Sequence, residues 1–77
     1  MNTETEFIKL IQNQFPEETR DQISAESKIR ELKGWSSLQA LIITVAIDEK
    51  YGITLTDEDI KNANTVHDLY TIVLKKS

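Results

Sequence analysis

Apolar residues recur along the chain at helical spacing, stop, and resume. Between Thr3 and about Gln14, Phe7, Leu10 and Ile11 follow a helical period that reaches Phe15. Thr3 and Glu6 stand at capping-box spacing, and Pro16 stops the helix they predict. Glu17 to Arg30 is polar with no sustained period; Ile23 and Ile29, with Leu32 closing it, are the isolated anchors expected to pin a long ordered loop to the core. The longest apolar run, Ser37 to about Lys50, predicts a second and principal helix, ended by Gly52 at the C′ position. Thr56, followed by Asp57, Glu58 and Asp59, opens a short third helix whose apolar residues are Ile60 and Ala63. Thr65 and Asp68 cap a fourth, with Val66, Leu69, Ile72 and Val73 as its inward stripe and Lys75 and Lys76 at its C-terminal end. Ile53 and Leu55 alternate as in a strand, but no second strand pattern exists to pair with them, so they are expected to be loop anchors. The pattern predicts a single all-α domain over residues 1–77, a four-helix bundle with a long first loop and a short third helix.

The principal helix has two apolar faces. At about 100° per residue, Leu38, Leu41, Ile42 and Val45 fall on one side, and Ala40, Ile43, Ile47 and Tyr51 on the other. A small bundle buries one such face completely, so either the first set is exposed or the helix is central and buried all round. At its start, Ser36 sits where an N-cap belongs, with Gln39 at capping-box distance. That assignment consumes the Ser36 hydroxyl and leaves the Ser37 hydroxyl free in the first turn. There it adjoins unsatisfied amides and the positive end of the helix dipole, which favour an attached anion.

Composition narrows the chemistry. The chain has 77 residues, a formal charge of −4 and no cysteine. It is too short for a second domain with an active-site cleft, and it cannot form disulfides or cysteine metal sites. The acidic balance argues against nucleic acid and anionic membranes, and a basic partner is more natural. Without a secretory apolar segment or a long apolar span, the expected location is the cytoplasm. His67, the single histidine, lies beside Asp68 in a helix's first turn, where neighbours cannot adopt triad geometry; a solvated or capping role is expected. Asp57, Glu58 and Asp59 lack the oxygen-ligand spacing and central glycine of a calcium loop. Trp35, one residue before the cap, reads as a partly buried hydrophobic staple.

The segment Ser36-Ser37-Leu38 resembles the Asp-Ser-Leu signature that opens a helix in the acyl carrier proteins and related peptidyl carriers. The likeness continues through Leu32, Ala46-Ile47-Asp48-Glu49, Tyr51-Gly52-Ile53, Leu55, Asp57-Glu58 and Asn64-Thr65-Val66, covering roughly Phe7 to Val73. It implies an acyl-carrier-like bundle that is not an enzyme. A phosphopantetheinyl transferase would use coenzyme A to place 4′-phosphopantetheine on Ser37, and acyl-transfer and synthase enzymes would then act on the acyl group held there as a thioester. It also implies that Ile43, Ala46, Ile47 and Tyr51 are core positions and that Leu38, Leu41, Ile42 and Val45 meet partners.

Two departures shape the expectation. Ser36 replaces the family's aspartate, and Ile42 replaces the acid usually found five residues after the serine. The partner face is therefore apolar, which points away from general fatty acid synthesis and toward a specialised fatty acid or polyketide pathway. Met1 and the lysine-rich C-terminus favour a free-standing monomeric carrier over a piece of a larger synthetase. The alternative function is an unmodified helical interaction module on a carrier-like fold.

Overall fold

The computed structural model describes residues 3–77, and these form an all-α bundle. Helix α1 spans Glu4–Gln12, α2 Glu17–Arg20, α3 Ser37–Tyr51, α4 Asp57–Asn62 and α5 Val66–Lys76, with a 3₁₀ turn at Ile29–Glu31. The four helices expected from the sequence are α1, α3, α4 and α5; α2 is a short addition inside the long loop. Helix α1 packs on α3 and α5, and α4 packs on α5.

The starts of α1, α3, α4 and α5 are each set by a hydroxyl, whereas α2 begins after Pro16 with no side-chain cap. Thr56 and Thr65 form complete capping boxes, with the Asp59 and Asp68 carboxylates accepting the Thr56 and Thr65 amides at 2.9 and 3.2 Å. Asp68 also accepts the Asn64 amide, and the Thr65 and Asn64 N–H groups hold its carboxyl below the ordinary carboxylate value. The expected box at Thr3 is half formed: Thr3 accepts the Glu6 amide, but the Glu6 carboxylate accepts the Thr3 hydroxyl rather than its amide. Helix α1 also ends earlier than its apolar period suggests. The amides of Gln14 and Phe15 turn back to the carbonyls of Ile11 and Gln12, tightening the chain before Pro16.

The long loop is ordered by hydrogen bonds as well as by its anchors. Arg20 Nε donates to the carbonyls of Gln12 and Phe15 at 3.2 and 3.0 Å, and the Gln12 side chain donates to the Ile23 carbonyl, folding α2 onto the end of α1. Farther on, an isolated antiparallel bridge joins Lys28 and Thr65. The amides of Val66 and His67, first in α5 and without intrahelical acceptors, donate to the carbonyls of Ser27 and Ala25.

The core forms where these elements converge. Phe7, Ile11, Ile43, Ile47, Val66 and Leu69 are fully buried, and the anchors Ile23, Ile29, Ile53 and Leu55 join them. Leu32, Tyr51 and Ile72 pack against this core half-buried. The Tyr51 ring lies 6.1 Å from that of Phe7, and burial, then the nearby Glu6 charge, raises its phenol pKa. Gly52 ends α3 at φ 69°, a left-handed angle that suits glycine, and donates to the Asp48 carbonyl at 2.8 Å. Among the described residues no helix is long and apolar enough to cross a membrane.

Candidate functional site

The start of α3 is set up by the residues before it. Gly34, at φ 95°, turns the chain between the 3₁₀ turn and α3. Ser36 is extended, and its hydroxyl accepts the Gln39 amide at 3.1 Å while its carbonyl accepts the Ala40 amide. The reciprocal half of the expected Ser36–Gln39 box is absent. Gln39 is buried, and its side chain instead donates to the Gln14 carbonyl, which the end of α1 leaves without an intrahelical partner. A capping residue by sequence is thus a tertiary tie by structure.

Ser37 is the first residue of α3 and is exposed. Among the described residues its hydroxyl makes no hydrogen bond, and neither does its own amide nor that of Leu38. Helix α5 differs, because the loop occupies its first two amides. At α3, therefore, a free hydroxyl lies beside two free N–H groups at the positive end of the longest helix.

Beside Ser37 a cleft of about 580 Å³ opens between α3 and α4. Ser37, Ala40, Leu41 and Thr44 form its α3 wall, Asp57, Ile60 and Lys61 its α4 wall, and Leu55, Trp35 and Arg30 complete it. The Thr44 hydroxyl is taken by the Ala40 carbonyl. Trp35, expected as a staple, is half-buried against the core and shares this lining with Ala40. Both ends of α4 are held by polar contacts. Arg30 Nη1 donates to the carbonyls of Ile60, Lys61 and Ala63 at 2.7, 3.0 and 2.8 Å, and Nη2 donates to the Asn64 side chain. At the other end, Lys76 pairs with Asp59 at 2.8 Å, which with the Thr56 N–H lowers the Asp59 pKa. Neither Arg30 nor Lys61 was a candidate from sequence.

The apolar face of α3 is exposed. Leu38, Leu41, Ile42 and Val45 are 65, 58, 38 and 48 % accessible, whereas Ile43 and Ile47 are 0 %, so the helix is not buried all round. A shallow groove of about 330 Å³ runs along this face between Gln14, Ile42, Val45, Ala46 and Glu49, with Leu41 bordering both it and the cleft.

His67 is exposed, and its Nδ1 lies 2.5 Å from the Glu4 carboxylate, whose hydrogen bond, then charge, raises the imidazole pKa. It makes no hydrogen bond with Ser37. Among the described residues no group of histidines and acids could hold a metal ion.

The chain matches, over residues 5–73, the model of the family described as phosphopantetheine attachment site. Members of that family bind covalently attached 4′-phosphopantetheine, carry it without catalysis of their own, and interact with transferases and synthase enzymes. An all-α bundle with an exposed, unbonded serine hydroxyl at the head of its longest helix agrees with that description, and a match across nearly the whole chain shows the relationship: this protein belongs to the phosphopantetheine attachment family and is a carrier of that group.

Proposed function

We propose that Ser37 is the attachment residue and that the protein is an acyl carrier of a specialised fatty acid or polyketide pathway. The observation that carries this reading is the difference between two adjacent serines. Ser36 accepts the Gln39 amide, whereas the Ser37 hydroxyl is exposed and unbonded among the described residues. Attachment needs a free nucleophile. The Ser37 oxygen would displace 3′,5′-ADP from coenzyme A, one O–P bond forming as another breaks, with the hydroxyl proton leaving to a base of the transferase. The free amides of Ser37 and Leu38 and the helix dipole suit the resulting phosphodiester. Once bound, the arm supplies a thiol that holds an acyl group as a thioester at raised effective concentration for each docked enzyme.

Leu38, Leu41, Ile42 and Val45 are the surface that transferase, acyl-transfer and synthase partners would read. Their exposure beside Ser37 supports this, and Ile42 in place of an acid favours partners with apolar docking sites. The carrier would act as a cytoplasmic monomer. Intact-mass measurement after incubation with coenzyme A and a broad-specificity phosphopantetheinyl transferase tests the site. The gain of one phosphopantetheine is expected in the native protein and in Ser36→Ala, and not in Ser37→Ala. Addition at Ser36 sinks the assignment; no addition at all favours the second reading, an unmodified interaction module that uses the same exposed apolar face.

A further inference from the structure

Two cations line the cleft beside Ser37 in a chain whose formal charge is −4. Arg30 comes from the 3₁₀ turn and Lys61 from α4, and among the described residues neither is paired with a carboxylate. The carbonyls of Ile60, Lys61 and Ala63 fix the Arg30 guanidinium in place but supply no counter-ion, and its Nε–H has no acceptor among the described residues. A guanidinium held in this way gives up less conformational freedom when it receives an anion. Asp57, one turn before Lys61, is the one acid among the lining residues and forms no ion pair with it. Leu55 and Ile60 add apolar surface to the same lining, and a recess with weakly polarisable walls strengthens the field inside it.

We propose that Arg30 and Lys61 form an anion-binding wall for the group tethered at Ser37, an inference that rests on Ser37 being the attachment site. Such an anion has two sources. One is the phosphodiester of the arm itself, common to every loaded form. The other is a carboxylate at the far end of the cargo, which would make the preferred acyl group a dicarboxylic acid held through one of its ends.

The test loads the protein in three ways, using the transferase with coenzyme A, butyryl-coenzyme A or succinyl-coenzyme A, and verifies each product by intact mass. Side-chain NMR signals of Arg30 Nε and Lys61 Cε are then compared with those of the unloaded protein. Equal displacement in all three forms assigns the wall to the phosphodiester, and displacement by the succinyl form alone assigns it to the cargo carboxylate. In either case, raising sodium chloride to about 0.5 M should at least halve the displacement, because screening shortens the reach of the charges. Lys61→Gln should at least halve the response at Arg30, whereas Lys50→Gln, at the far end of α3 and lining no recess with Arg30, should leave it unchanged. No displacement in any loaded form, displacement by the butyryl form alone, or displacement indifferent to salt overturns the inference while leaving the carrier reading intact. Failure to gain mass at Ser37 defeats the attachment reading and this inference with it.

Discussion

The Ser36 hydroxyl accepts the Gln39 amide at 3.1 Å, and the hydroxyl of Ser37, one residue later, accepts nothing among the described residues. Two adjacent residues of the same type therefore contribute unequally to stability. Ser36→Ala removes an N-cap and should cost about 1 kcal/mol. Ser37→Ala should change stability by less than about 0.5 kcal/mol, because it breaks no bond. Urea unfolding of both variants checks the difference, and equal losses would show that the two hydroxyls share the cap.

Ile43 and Ile47 are fully buried, while Leu41 is 58 % exposed on the same helix. Replacing either isoleucine by alanine should cost about 2 to 5 kcal/mol, the range for emptying a packed core site. Leu41→Ala should cost under about 1.5 kcal/mol, since most of its surface is already in water. Similar melting losses in all three would contradict the exposed face.

Ile42 places hydrocarbon where the carriers this chain resembles have an acid. Burial of Leu38, Leu41, Ile42 and Val45 against a partner is insensitive to simple salt, whereas exposed charge pairs are screened within about 10 Å at 0.1 M. Affinity for a cognate enzyme should therefore change little across a sodium chloride series, and Ile42→Glu should weaken it. A steep fall with salt, or tighter binding of Ile42→Glu, would move recognition to the acids at Asp48, Glu49 and Asp57 to Asp59.

His67 and Glu4 join the beginnings of α5 and α1. The Glu4 carboxylate, through its hydrogen bond and then its charge, with a smaller contribution from Asp68, raises the His67 pKa. A raised folded-state pKa means that the stabilisation is complete below the unfolded value of about 6.5 and is lost as pH rises through the folded value. The melting-temperature advantage of the native protein over His67→Gln should thus be largest near pH 5.5 and shrink by about pH 9. A gap independent of pH would mean that solvent screening leaves this exposed pair without effect.

Arg30 closes the C-terminal end of α4 through three carbonyls. Arg30→Ala should cost about 1 to 2 kcal/mol, and Arg30→Lys nearly as much, because a single ammonium cannot reproduce the fork of donors. Denaturant midpoints of the two variants decide it; full rescue by lysine would reduce the contact to a point charge.

What the sequence made legible is what local chemistry controls. The caps at Thr3, Ser36, Thr56 and Thr65 each act within three residues, and the buried positions of α3 follow its helical period. The anchors Ile23, Ile29, Ile53 and Leu55 stood out as apolar residues in polar surroundings, and all are buried. The rest depends on partners distant in sequence. Gln39 looked like half of a capping box because Gln14, 25 residues away, left no local trace. Arg30 looked like one more loop charge because its acceptors lie 30 to 34 residues on. The cleft itself, and Lys61 within it, exist only once α4 is placed opposite α3.

Helix α4 rests on α5, while its ends are held by Arg30 and by the Asp59–Lys76 pair. One wall of the cleft is therefore fastened by polar contacts at both ends and anchored in the core by Ile60 and the following Ala63, whereas the opposite wall belongs to a longer helix whose Ile43 and Ile47 are fully buried. The two respond differently to a guest. Widening the recess strains the polar end contacts of α4, which water can replace, and loosens Ile60, whereas shifting α3 would open voids around both Ile43 and Ile47. A bulkier occupant of the cleft would therefore be accommodated by displacement of the short helix, while the start of α3 keeps its place.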